Sequence, residues 1–374
     1  MSAARAERQR HDAAAPRAGP GGRLRKPPRL VAAFTVAGPE ETAGPLGQAF
    51  DEAAPDYGWQ ESSFERTERK LLSHAIAGVL RRSGLMPEDV DVHVGGDLLD
   101  QITTHGYVAD AAGIPFVGLF NACATLASAL GMGATALSAG TVGRVLATVS
   151  SHYYTAERQY RYPTELGMQR ATTNQRTATG AAAFVLEADG ESTGSVSTDA
   201  QAGGQGGGTV RVTRFTPGRV RQLGVKDPNN MGAAEAPAAA DTLLRHFAGD
   251  EVRPEDYDLI LTGDLARVGL PLARDLCADA GLDLGERWQD AGCLLYDPDQ
   301  SVDAGGSGAA CCALVLAAHV LPALRSGRLR RVLFVATGSL HSKTTYLQGD
   351  VIPAIAHAVE LEGAPGGSEG GAPS

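Results

Sequence analysis

The chain contains itself twice, and few other features of a sequence restrict the possible folds as strongly. Glu88, Asp89, Asp91, Gly96, Asp97 and Leu98 recur as Glu255, Asp256, Asp258, Gly263, Asp264 and Leu265, always 167 positions later. In both copies an acidic exit leads into an apolar strand (90–94 and 257–261) that ends in a Gly-Asp turn. A second match pairs Ala136, Leu137, Gly140, Arg144, Val145 and Leu146 with Ala323, Leu324, Gly327, Arg331, Val332 and Leu333, now 187 positions apart. Each copy reads as a helix stopped by glycine and followed by a buried strand (144–150 and 331–337). Helix and strand alternate in both halves, which calls for parallel-sheet connections and predicts two duplicated α/β halves packed about a pseudo-twofold axis. The change of offset puts about twenty extra residues between the landmarks of the second half.

The apolar period of Phe64, Leu71, Leu72, Ala75, Ile76, Val79 and Leu80 predicts a helix over 63–82, closed by Ser83 and Gly84. The boundaries that follow are a basic tail over 1–29, a first half over 30–220, a second half over 221–361 and a tail over 362–374. A Gly-, Ser- and Thr-rich stretch, 189–208, reads as a flexible surface loop. Both tails read as disordered. With 374 residues, 43% of them hydrophobic, the chain fills a sizeable core. A net charge of −10 argues against nucleic acid as a partner. The exception is the N-terminal stretch, where Arg5, Arg8, Arg10, Arg17, Arg23, Arg25, Lys26 and Arg29 crowd together. It has no apolar centre of the kind a secretory signal needs, so a cytoplasmic-type soluble protein is expected. Five cysteines without metal-like spacing read as reduced thiols. The most apolar run, 309–321, is shorter than the roughly 20 residues of a membrane span and reads as a buried helix.

Cys123 sits where an apolar segment, 114–120, read as a buried strand, passes into a helix of small residues, 122–139. Backbone N–H groups and the helix dipole at such a junction favour a thiolate or a bound carboxylate, whereas a small buried cysteine is the plainer reading. At these residues the chain resembles the thiolase superfamily over 30–361: L-F-N-A-C-A-T (119–125) matches the nucleophile motif, and G-G-S-G-A-A-C (305–311) the turn opening the equivalent helix of the second half. The resemblance implies a five-layered thiolase-like fold and a homodimer. Condensing members also need a His, and a second His or Asn, facing the cysteine. Here those loops offer Asp264 and Ser307, so Cys123 is expected to be a vestigial nucleophile, because Claisen chemistry needs a base and oxyanion donors.

A narrower resemblance, to the stage V sporulation protein AD family, rests on G-P-L-G-x-x-F-D (44–51), G-G-D-L-L-D-Q (95–101), S-S-H-Y-Y-T-A-E-R-Q-Y-R-Y-P-T-E (150–165), A-P-A-A-A-D-T (236–242), L-I-L-T-G-D-L (259–265) and D-A-G-G-S-G (303–308). It implies a non-catalytic, cofactor-free protein that binds dipicolinic acid, free or as its calcium chelate. It also implies action with SpoVA membrane channel subunits, peripheral to the forespore or spore inner membrane. The alternative is a Cys-dependent condensing or acyl-transferring enzyme in which His341 or His152 replaces the missing histidine. For a planar dicarboxylate, Arg158 and Arg161 are the candidate carboxylate forks and Tyr160 or Tyr162 the flat wall; the plainer reading pairs Arg158 with Glu157 or Glu165. Asp97 and Asp264 are candidates to meet the calcium of a chelate, or else cap their own turns. His152 and His341 follow equivalent strands and are expected at the cleft, with Lys343 a weaker candidate beside them.

Overall fold

The computed structural model describes residues 22–160, 171–190, 208–249 and 251–364. Each half contributes five main strands to one sheet, and a two-residue strand, Glu52–Ala53, pairs parallel with the first of them. In the first half these are β1 (Arg29–Ala37), β2 (Val92–Gly96), β3 (Phe116–Gly118), β4 (Arg144–Ser151) and β5 (Gly180–Glu187). In the second they are β6 (Thr209–Thr216), β7 (Leu259–Thr262), β8 (Trp288–Asp290), β9 (Arg331–Ser339) and β10 (Ala354–Ala364). The spatial orders are β3-β2-β4-β5-β1 and β8-β7-β9-β10-β6, the same path taken twice. The duplication read from the landmarks is therefore a duplication of topology. The half-sheets are joined where β1 meets β6 antiparallel, at Arg29–Arg211 and Leu30–Val210.

Helices follow the same repeat. The first half carries α1 (Phe64–Ser83), α2 (Thr103–Ala112), α3 (Thr125–Ala139) and α4 (Tyr153–Tyr160). The second carries α5 (Met231–His246), α6 (Ala266–Asp279), α7 (Ala309–Val315, continued through a π turn to Arg325) and α8 (Lys343–Leu347). Ser63 caps α1 by accepting from the Arg66 N–H, and Gly84 closes it with φ 65°, a conformation glycine takes without cost. Three apolar clusters separate five layers. One buries α3 and α7 between the half-sheets, one packs α1 and α2 on the outer face of the first, and one packs α5 and α6 on that of the second. Ala122–Ala139 is long and apolar enough to cross a bilayer, but 72% of it is buried inside the protein, as a central-layer helix must be.

The extra residues of the second half lie between β8 and α7. That stretch folds into a short helix (Ala291–Leu294) and a return loop whose Gly306 and Ser307 pair with Arg176 and Thr177 of the first half. The insertion therefore delivers Ser307 across the boundary between halves.

Three boundaries differ from the sequence reading. The apolar segment 114–120 is not a buried strand: β3 spans only three residues at the sheet edge, and Val117 is 51% exposed. The C-terminal strand continues past 361 to Ala364, because Glu362, Gly363 and Ala364 stay in register with β6. At the N-terminus the chain is already engaged before residue 30, since the Leu24 N–H donates to the Thr213 carbonyl. The rest of the 189–208 loop and of both tails lies outside the described residues.

Candidate functional site

Cys123 enters the central layer on a single strained turn. Ala122, immediately before it, has φ 49°, a left-handed conformation that costs a residue with a Cβ about 1–3 kcal/mol. The turn Ala122–Ala124 then runs into α3, and the Asn121 side chain ties it down by donating to Ser128 Oγ at 2.8 Å. From the second half, β9 presses Gly338 directly onto this turn. A Cβ there would lie 2.5 Å from the Asn121 carbonyl oxygen and 2.9 Å from the Cys123 nitrogen, so only glycine fits.

Opposite the thiol stand carboxyl groups. Asp264, at the end of β7, accepts from the Gly308 N–H through Oδ2 (2.7 Å), while its own N–H donates to Thr337 Oγ1 (3.0 Å). Among the described residues its Oδ1 has no N–H or O–H donor, and the Cys123 thiol lies beside the carboxyl. Behind it, Glu235 of α5 accepts from Thr337 Oγ1 (2.7 Å) and Ser339 Oγ (2.9 Å). Asp290 caps the turn after Asp264, accepting from the Ala266 N–H at 2.8 Å and the Leu265 N–H at 3.1 Å. All three carboxyls are buried.

This surrounding reverses the thiolate expectation. Burial, and then the Asp264 and Glu235 carboxyls, push the Cys123 thiol well above its ordinary value. Burial and the Glu235 carboxyl likewise raise Asp264, against the pull of the thiol beside it. Burial pushes Glu235 up to about 8, although its two hydroxyl donors pull the other way. Burial thus favours the uncharged forms of the thiol and of the carboxyls beside it, and the helix dipole is outweighed.

A small cavity opens next to Cys123, lined by Leu98, Tyr160, Met231, Ser307, Ser339 and His341 among others, with a volume of about 30 Å³. That is room for roughly two waters. Ser307 is buried and its Oγ has no hydrogen-bond partner among the described residues. Tyr160 closes one side, its hydroxyl donating to the Leu98 carbonyl and its ring 5.5 Å from that of His341, which in turn stacks on Tyr346 at 5.1 Å.

Of the residues expected from sequence, the structure therefore gathers Cys123, Asp264, Ser307, His341 and Tyr160. Others lie elsewhere. His152 is buried away from the cavity, its Nε2–H donating to the Tyr57 carbonyl (2.8 Å), its ring stacked on Phe64, and burial lowers it to about 4. Arg158 is exposed and pairs with Glu65, a partner the sequence reading did not name, while Glu165 lies outside the described residues. Asp97 caps its own turn at the Leu99 N–H and holds His105, so its oxygens are committed. Asp264 does not cap its turn, because Asp290 does. No cluster suited to a metal exists among the described residues, and Asp97 and Asp264 do not form one. Arg161 and Tyr162 lie outside the described residues. Sequence reading missed Glu235 and Ser339, although Glu235 stands at the 167-residue offset from Glu68.

A family model for stage V sporulation protein AD matches residues 21–362. The stage V sporulation protein AD of Bacillus subtilis (strain 168) is 43% identical over 336 residues, covering 90% of this chain and 94% of that protein. Among solved structures, acetamide-bound OleA of Xanthomonas campestris aligns with a TM-score of 0.55 at 14% identity, covering 91% of this chain and 100% of that one. Human mitochondrial 3-ketoacyl-CoA thiolase in complex with CoA aligns at 0.53 and 13%, covering 91% and 99%. At such identities the likeness is one of fold: the architecture is thiolase-like.

Proposed function

Because this chain belongs to the stage V sporulation protein AD family, we propose that it is a non-catalytic binding protein for dipicolinic acid, taken free or as its calcium chelate. The observation that carries the non-catalytic half is the acid group opposite Cys123. A condensing site needs a reactive thiolate and donors for an oxyanion. Here burial and the facing carboxyls hold the thiol neutral, and Asp264 stands where the resemblance leads one to expect a His or Asn, although His341 borders the same cavity. What remains is a niche with unspent polar capacity at Ser307 Oγ among the described residues, beside the flat ring of Tyr160. A pyridine dicarboxylate is several times larger than the present cavity, so its entry requires Tyr160 and His341 to swing outward. Any calcium arrives with the ligand as cargo, since the described residues offer it no prepared cage.

In this reading the protein works with SpoVA membrane subunits, peripheral to the forespore or spore inner membrane, as a homodimer. The open edge at β3, with Val117 51% and Phe120 41% exposed, supports pairing with a second copy. Calorimetric titration of the full chain with dipicolinate, with and without calcium, tests the binding. Saturable heat is expected, and its absence for both forms overturns the reading.

A further inference from the structure

The niche beside Cys123 has an electrostatic oddity for a site that takes an anion. Glu235, Asp264 and Asp290 are buried together, the largest influences on Glu235 and Asp264 include no Lys or Arg, and among the described residues none lines the cavity. The titratable groups facing them are Cys123 at the start of α3, Cys311 and Cys312 on α7, and each other. Tyr160 on α4 and His341 after β9 complete the cavity wall. Ser339 connects the two levels, since it lines the cavity and donates its hydroxyl to Glu235 Oε1. Asp264 connects them a second time through the Cys123 thiol.

From this geometry we propose that Glu235 and Asp264 form a charge gate: the cavity admits a carboxylate anion while both carboxyls are protonated, and ligand binding is linked to those protons. The inference rests on the proposal that the cavity binds dipicolinate. Its physical basis is simple. An uncharged acid one residue behind the wall leaves the niche neutral, whereas an ionised one places an unpaired negative charge, poorly screened, against the incoming carboxylate. No Arg or Lys fork within the described residues lies there to compensate. Linkage is reciprocal, so a bound anion holds the protons on.

The sign follows. Burial holds Glu235 at about 8 and Asp264 well above its ordinary value, so affinity is greatest below that range and weakens as pH rises through it. Once the first carboxyl titrates, linkage to one proton lowers the affinity about tenfold per pH unit.

The test is titration of the full chain with sodium dipicolinate, a dianion throughout, at steps from pH 7 to 10. Binding should weaken about tenfold per unit above the first carboxyl's titration, with proton uptake visible as a dependence of the heat on buffer ionisation enthalpy. Glu235→Gln and Asp264→Asn, each checked for folding by its thermal transition, should flatten the slope relative to the parent, each slope being read against that variant's own affinity at pH 7. The wild-type slope and proton uptake stand as evidence should either variant fail to fold. A wild-type affinity constant within about twofold over this range, or a full slope persisting in folded Glu235→Gln and Asp264→Asn, overturns the gate and leaves the binding proposal intact. A slope set by His341 would produce that second result. Absence of saturable binding at every pH overturns instead the function on which the gate rests.

Discussion

Replacing Gly338 by alanine tests whether the two halves meet as closely as the site requires. The new Cβ would stand 2.5 Å from the Asn121 carbonyl oxygen, 2.8 Å from the Ala124 nitrogen and 2.9 Å from the Cys123 nitrogen. All three are backbone atoms, so no side chain can rotate out of the way. Restoring ordinary contact, about 3.5 Å, needs a separation of roughly 1 Å between β9 and the Cys123 turn. Overpacking of this kind costs typically ~1–3 kcal/mol, and the rigidity of both partners places this case at about 3. Gly106 supplies the control. It is exposed in α2, an added Cβ there meets nothing within 4 Å, and alanine should stabilise the helix by roughly 0.5–1 kcal/mol. The same substitution should therefore act with opposite sign at two positions. Thermal unfolding of both variants beside the parent reads the difference, with Gly338→Ala lowered by ~4 °C and Gly106→Ala unchanged or raised. A Gly338→Ala chain as stable as the parent would refute the close approach of β9 to Cys123.

Cys123 should resist chemistry: incubation with acyl-CoA thioesters should leave the intact mass unchanged, and alkylation at pH 8 should run about a hundredfold slower than for an exposed thiol. A Cys123-dependent acyl adduct that turns over would sink the non-catalytic reading. His246, bonded to Thr216 Oγ1 (2.9 Å) and the Tyr257 hydroxyl (2.7 Å), is lowered to about 4 by burial. The unfolded chain binds that proton first, so stability is full above about 6.5 and is lost as pH falls toward 4. His246→Gln should make the loss shallower, and an identical acid profile by urea denaturation would count against it. Glu68 gives the opposite slope. Burial, with Asp97 nearby, raises it to about 8, so its contribution to stability is full below about 4.5 and lost as pH rises through 8. Glu68→Gln should accordingly gain stability relative to the parent more at pH 8.5 than at pH 5, and equal differences at the two pH values would contradict the buried neutral acid.

The repeat was legible because its landmarks are residues whose identity the backbone dictates. Gly140 and Gly327 end their helices at φ 73° and 76°, where a Cβ is disfavoured, so both copies kept glycine. The change of offset located the insertion that carries Ser307, and Asp264 and Ser307 stand beside Cys123. Other features were hidden for physical reasons. An apolar run such as 114–120 reads alike at the edge and in the middle of a sheet, since hydrogen-bond partners leave no mark on hydrophobicity. The composition after 361 reads as a tail, yet Glu362 pairs with Arg331 and residues 362–364 stay in register with β6. His152 follows β4 as His341 follows β9, but Phe64 and Tyr154 claim its ring. The residue after a strand fixes where a side chain starts, not which neighbour receives it.

Glu68 and Glu235 show why the acids behind the site escaped notice. They obey the 167-residue offset, yet their flanks, F-E-R-T-E and G-A-A-E, share no other residue, so spacing was the entire signal. Structurally the two are treated alike: Glu68 takes hydroxyls from Ser150 and Thr155, and Glu235 takes them from Thr337 and Ser339. Two copies of one buried acid, each against the central parallel strand of its half, argue that the acid belongs to the architecture before it belongs to any site. The halves diverge one position away. Asp97 is sealed by His105, which bonds onward to Thr148 at 3.0 Å. Asp264 has no such imidazole, and the room left beside it is occupied by Cys123, Ser307 and the cavity. On this view the site arose where one copy of a structural acid lost its seal, and the test is to look for function in what Asp264 lacks. Placing histidine on α6 to cover Asp264 should close the cavity and abolish dipicolinate binding without loss of thermal stability, whereas a folded variant that still binds would place the ligand elsewhere.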